Sequence, residues 1–301
     1  MVAWMMTLLV GAALAAPASS QKSFNIEEGG QTWDFSYDWK DAMGQRQEVA
    51  FSLPASEVAA DRDEVTWLQR QVMNTEVAKT VRQWGKKQKG VKFKVKVDNG
   101  GVTTEVSGTD KGVMQKALNE SEVVRDDAIE AWLAEHDFTR IGNDVSFDHA
   151  GLAADYAEVL APVAKALRHG TSSDREFVNK TLSFVQSIPY EARKKKGGDP
   201  GYRRPLALLS RNRGDCDSKA VLFLAMVRAE LPAVPLSVIY VPEHALTGVG
   251  LPSERGDQTF KVDGTRFLYA EPVGPALHVL GEPDEANKKA GKKGVVRVVP
   301  G

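Results

Sequence analysis

The chain has 301 residues, 42% of them hydrophobic, with 39 Lys+Arg against 40 Asp+Glu and a formal net charge of −1. That length holds one large core or two smaller ones, and the charge balance excludes a chain-wide electrostatic footprint for nucleic acid or an anionic membrane. The single Cys excludes an intramolecular disulfide and a cysteine-rich metal site. In an oxidising compartment, a lone thiol is either buried and inert or kept for its reactivity.

Trp4 to Ala16 is an apolar run, and Ala13-Leu14-Ala15 and Ala16-Pro17-Ala18 both follow the small-x-small pattern of a signal cleavage site. The run is short for a bilayer span, and no Lys or Arg precedes it. We read residues 1–18 as a signal peptide and the mature protein as periplasmic or secreted, without a membrane span. Residues 31–53 then alternate as a β-hairpin, with Trp33, Phe35, Tyr37 and Trp39 on one arm and Val49, Phe51 and Leu53 on the other. Aromatics at a period of two predict one buried sheet face rather than a ligand platform. A helical pattern runs over residues 62–84, with Val65, Leu68, Val72, Val77 and Val81 as its apolar positions. Val91 to Val97 and Val102 to Val106 predict a second hairpin about Asn99-Gly100. Its Lys92, Lys94 and Lys96 form a solvated or edge-strand face. A helix over Lys111 to His136 completes an N-terminal α+β unit, residues 22–148, with no assignable chemistry.

From Asp148 the texture changes. Leu152 to Leu167 predicts a helix ended by Gly170, and Thr171-Ser172-Ser173-Asp174 caps another over Arg175 to Ile188. A Lys/Gly-rich loop, Lys194 to Gly201, leads to Tyr202-Arg203-Arg204-Pro205 and a helical turn at Leu206 to Leu209. Ala220 to Val227 is apolar almost all round, the mark of a helix buried on every side. Strands follow at Leu236 to Val241, His244 to Val249, Phe260 to Val262 and Phe267 to Ala270, the last two joined by the turn Asp263-Gly264. Val295 to Val299 adds an edge strand. Helices followed by an antiparallel meander predict an α+β domain over residues 149–301.

Cys216 stands where the loop Gly214-Asp215 enters the apolar helix. Gly214 permits a tight turn there. A helix N-terminus favours a thiolate through its macrodipole and free N–H groups, and the same N–H groups stabilise an oxyanion. Against this, a Cys opening a core helix is often merely buried. His244, at the start of a strand, is placed to accept the thiol proton and return it to a leaving amine. Glu271, before Pro272 at the end of the next hairpin, is placed to fix the tautomer of that His. Asp263 is the rival acid, and its turn role already accounts for it. Asp215 and Asp217 read as helix caps. His136, His149, His169 and His278 show no metal-ligand spacing, and no metal or cofactor is expected.

Phe184-Val185-Gln186-Ser187-Ile188-Pro189-Tyr190, Tyr202-Arg203-Arg204-Pro205 with Leu208, Gly214-Asp215-Cys216-Asp217, His244-Ala245-Leu246-Thr247-Gly248-Val249 and Phe267-Leu268-Tyr269-Ala270-Glu271-Pro272 together resemble the transglutaminase-like cysteine enzyme superfamily. The resemblance covers about residues 175–275. It implies a papain/transglutaminase-like domain, with the Cys at a helix N-terminus packed on an antiparallel sheet. It also implies a Cys216-His244-Glu271 triad acting on amide bonds of a protein or peptide, with Glu271 standing where the family carries Asp before Pro. Two outcomes stay open: an exported hydrolase or transamidase, or a catalytically inactive binding or scaffold module. Papain-like enzymes space their Cys and His much further apart and use Asn as the third member. Cell-wall hydrolases with Asp-Cys-Ser at a helix start differ at Asp217.

Overall fold

The computed structural model describes residues 20–62, 65–98, 100–142, 144–191, 201–241 and 244–299, with the side chains of His244 and Ala290 outside that description. The proposed signal peptide, most of the 194–201 loop and Asn99 therefore lie outside the described residues. Three strands open the chain: β1 (Gln21–Gly29), β2 (Thr32–Lys40) and β3 (Arg46–Pro54), paired as an antiparallel meander. Then come α1 (Ala55–Asp61), β4 (Val65–Trp67), α2 (Arg70–Gly85), the hairpin β5 (Val91–Asp98) and β6 (Gly101–Gly108), and α3 (Lys111–Glu135). A short hairpin, β7 (Phe138–Ile141) and β8 (Asp144–Phe147), leads into α4 (His149–Asp155), α5 (Ala157–Arg168) and α6 (Asp174–Ser187). The chain continues through β9 (Gly201–Arg203), α7 (Pro205–Arg211), α8 (Cys216–Glu230), β10 (Leu236–Val241), β11 (His244–Val249), β12 (Thr259–Val262), β13 (Thr265–Ala270), α9 (Glu285–Gly291) and β14 (Val295–Val298).

This is an α+β architecture. The principal sheet has five antiparallel strands in the order β12-β13-β11-β10-β14. The turn between β12 and β13 is made by Asp263 at φ 47 and Gly264 at φ 82, the paired left-handed conformations of a type I′ hairpin. Asp263 is thus spent on a turn, as its sequence context predicts.

Helix α8 explains how the layers meet. Ala220 through Val227 are all fully buried, so this stretch of the helix has no solvent face. It packs against α4, α5, α6 and α7 and, on another side, against β10 and β11. Beyond α5 and α6 lies the three-stranded sheet, whose Trp33, Phe35, Tyr37 and Trp39 alternate inward along β2. Phe184 of α6 meets Tyr37 edge-on at 5.0 Å. Trp39 Nε1 donates to Ser183 Oγ at 3.0 Å, and the Tyr37 hydroxyl donates to the Leu209 carbonyl at 2.9 Å. Each buried polar tip is matched, as burial of Tyr and Trp requires.

The cores do not divide at residue 148. One hydrophobic cluster runs from Trp33 and Phe51 through α5, α6 and α8 to Val238 and Leu268. A second joins α2, β5, β6 and α3 to Phe147, Leu152, Tyr202 and Val221, and β4 pairs with β9 across the boundary. The physical reason is that a three-stranded sheet has one apolar face, and here that face is covered by helices from the second half. Among the described residues, no helix is long and apolar enough to cross a membrane.

Candidate active site around Cys216

The approach to α8 is held by backbone pairing. Gly214 N–H donates to the Pro189 carbonyl at 3.2 Å and Glu191 N–H to the Gly214 carbonyl at 3.0 Å, so the strap 189–191 runs alongside residue 214. Gly214 has no positive φ. Its requirement is steric: a Cβ there would lie 2.6 Å from Leu208 Cδ1. Gly214 is thus required by close packing and not, as its sequence context predicts, by a turn.

Asp215 is the N-cap, its carboxylate accepting from Ser218 N–H at 3.0 Å and from the Ser218 hydroxyl at 2.6 Å. The Ser218 oxygen in turn accepts from Arg203 N–H at 2.9 Å. Cys216 is the first residue of the helix, 8% exposed. Its thiol donates toward Asp217 Oδ2 at 3.8 Å. Two backbone N–H groups, those of Asp217 and of Ala245 at the start of β11, are directed at the sulfur.

The electrostatic balance at the thiol differs from the helix-terminus expectation. Burial pushes the Cys216 thiol up, and the carboxylates of Asp217 and Asp215 push it further; the two N–H groups act in the opposite sense. A helix N-terminus lowers a thiol only where its field outweighs lost hydration and nearby anions. Here burial is the largest contribution.

His244 is the first residue of β11, its backbone paired with Val241, and its side chain lies outside the described residues. Because the Ala245 N–H faces the Cys216 sulfur, the backbone of residue 244 adjoins the N-terminus of α8. Glu271 directly follows β13, where Ala270 pairs with Thr247. Continuing that antiparallel ladder by one step sets Glu271 opposite Leu246, two positions from His244. The topology thus gathers Cys216, His244 and Glu271 onto adjoining elements.

The Glu271 carboxylate already has partners. It is 5% exposed, and its Oε2 accepts from Asp284 N–H at 3.0 Å. Its Oε1 accepts from Asn287 Nδ2. Asp284 directly precedes α9 and Asn287 lies in its first turn. The Glu271 carbonyl accepts from Gln186 Nε2 at 2.8 Å. A cavity of about 300 Å³ opens beside the carboxylate, lined among others by Val273, His278, Asp284 and Asn287, and Cys216 does not line it.

Three further groups around the site have no separate signal in the sequence. Tyr190, on the strap, is half exposed; burial raises its hydroxyl, and so does negative charge on Cys216, Asp215 and Asp217, which places its ring beside them. Lys219, one turn along α8, is fully buried, its Nζ donating to the Ile188 carbonyl and lying 3.5 Å from that of Gln186. Burial lowers its amine to about 7 despite the opposing charge of Asp215. His149, at the start of α4, is fully buried, and its Nε2 lies 2.9 Å from Asp217 Oδ1. Asp217 is therefore a partner of His149 and of the thiol, whereas the capping role expected of both acids falls to Asp215. Among the described residues, no group of three or more His, Cys, Asp or Glu side chains is arranged to hold a metal ion. Comparison of the chain with protein-family models, curated proteins and solved structures finds no match.

Proposed function

We propose that the protein is an exported cysteine enzyme of the transglutaminase-like kind, acting on amide bonds of a protein or peptide through Cys216, His244 and Glu271. The observation that carries this reading is the position of the Cys216 sulfur: at the N-terminus of the buried helix α8, with the N–H groups of Asp217 and Ala245 directed at it and β11 beginning at its side. In the proposed reaction, His244 takes the thiol proton and the sulfur attacks the amide carbonyl. The C–N bond breaks as His244 returns that proton to the leaving amine, which leaves a thioester on Cys216. Water then releases an acid, or a second amine takes the acyl group. Family analogy favours water, which makes the protein a periplasmic or secreted protease or amidase.

A second reading, an inactive module of the same architecture used for binding or as a scaffold, has its own support. The Glu271 carboxylate is engaged by Asp284 and Asn287, and burial and two carboxylates push the thiol up. Iodoacetamide labelling across pH separates the two, because the single Cys makes it a one-site measurement. A catalytic thiol reacts well below pH 8, and His244→Ala moves its profile upward. An ordinary thiol profile unchanged by His244→Ala sinks the enzyme reading. A peptide-library digest with Cys216→Ala as control then distinguishes hydrolysis from transfer.

A further inference from the structure

The residue after Cys216 is tied to a buried histidine from a distant part of the chain. His149 is fully buried. Its Nε2 lies 2.9 Å from Asp217 Oδ1. Its Nδ1 lies 3.0 Å from the Phe147 carbonyl and 3.2 Å from the Tyr240 hydroxyl. A carboxylate can only accept, so Nε2 carries a hydrogen. In the neutral ring, Nδ1 then accepts from the Tyr240 hydroxyl. In the charged ring, Nδ1–H donates to the Phe147 carbonyl, and the Tyr240 hydroxyl, itself 3.2 Å from that oxygen, shares it. Either way the N–H of His149 points at Asp217, while Asp217 Oδ2 faces the Cys216 thiol at 3.8 Å.

We propose that His149 is a positioning residue that, as the partner of Asp217, moderates the charge that this carboxylate presents to Cys216. It acts on the thiol only through Asp217. This rests on Cys216 being the reactive group of the site. Among the described residues, the other groups that act on the sulfur are Asp215, Tyr190 and the backbone N–H groups of Asp217 and Ala245. Asp148, beside His149 in sequence, and Arg297 of β14 act on the Tyr240 hydroxyl. Asp217 is an acid within reach of both the thiol and the imidazole. It makes thiolate formation harder, and an N–H donor or a cation on its far side weakens that effect.

The test is a double-mutant cycle read by iodoacetamide labelling of Cys216 against pH, on the full chain, with circular dichroism to confirm folding. Asp217→Asn removes the charge and shifts the profile downward, with labelling at neutral pH about tenfold faster for one pKa unit. His149→Phe, which fills the site without a donor, leaves Asp217 unmoderated and slows labelling by a similar factor. In the Asp217→Asn background, His149→Phe changes nothing further. His149→Gln, whose amide N–H can replace the Nε2 donor, stays close to wild type. If the phenylalanine variant does not fold, His149→Asn takes its place, because its amide is too short to reach Asp217. An unchanged profile in the folded donorless variant, or the same shift in both Asp217 backgrounds, overturns the proposal. The peptide digest is read separately. A coupled thiol with no cleavage or transfer leaves this inference standing and removes the enzyme reading; cleavage without coupling does the reverse.

Discussion

At the scale of single residues, Cys216 and Lys219 are among the ionisable groups of the site that burial has moved toward neutrality. For Lys219 the consequence is a measurable pH dependence of stability. The amine ordinarily titrates near 10.5 and in the folded chain near 7. Below about pH 7 it is charged in both folded and unfolded chains, and the cost of burying that charge is fully present. Between the two values, the folded chain has released the proton while the unfolded chain keeps it. Stability therefore rises with pH across this window, by up to about 1.4 kcal/mol per pH unit. Lys219→Met keeps the length of the side chain and removes the titration. Urea midpoints at pH 7 and pH 9 should diverge in the wild type and move together in the variant. An equal rise in both proteins would place its origin elsewhere. The same residue was opaque to the sequence, in which Lys219 is one lysine among many on an otherwise apolar stretch. Its burial follows from the carbonyls of Gln186 and Ile188 at the end of α6, a tertiary meeting that no local pattern encodes. His149 was opaque for the same reason, since its partner Asp217 lies 68 positions away.

At the scale of elements, the cap of α8 decides where the thiol sits. Asp215 satisfies the Ser218 N–H and hydroxyl, and Ser218 anchors β9 through Arg203 N–H. Asp215→Ala should therefore cost about 1–2 kcal/mol by loss of the cap, measured by urea unfolding. It should also lower the pH at which Cys216 is labelled, because one of the two anions near the thiol is gone. A stability loss with an unmoved labelling profile would mean that Asp215 acts on the fold alone. This element was legible in the sequence: Ala220 to Val227 is apolar on every side, and such a helix has to be central. The hairpin at Asp263-Gly264 and the inward alternation of Trp33 to Trp39 were legible for similar reasons of period and turn chemistry. Strand β1 was not, because Gln21 to Gly29 is largely exposed and carries Lys22, Glu27 and Glu28, so no apolar alternation marks it. The break at Tyr156 between α4 and α5 leaves no mark in the sequence, because the helical period continues across it. The short β7–β8 hairpin and α9 fall below the length at which period is informative.

At the scale of the molecule, the sheet that opens the chain lies far from Cys216 in sequence yet shares its principal core. Phe35, 2% exposed, stacks on Phe51 at 5.2 Å within the same cluster that contains Phe184, Leu209 and Ala225. If the β1–β3 sheet and the helices around α8 form one cooperative unit, the labelling profile of the thiol must change to that of an unfolded chain at the same denaturant concentration at which the sheet melts. Phe35→Ala removes most of a buried ring and should cost about 3–5 kcal/mol. The expected outcome is a single transition moved to lower urea, with Cys216 labelling and circular dichroism shifting together. The alternative follows from the domain boundary that the sequence suggests near residue 148. In that case the variant would lose its sheet first while Cys216 kept its native labelling profile until a separate, later transition. The hydrogen bonds from Tyr37 to Leu209 and from Trp39 to Ser183 argue for one unit, because melting the sheet alone would strip both partners in the helical layer. A sheet that shares the core in this way limits which truncations leave the site intact. Removal of residues 20–54 should expose the α5–α6 face and unfold α8 with it, so that Cys216 labels at the rate of the denatured chain.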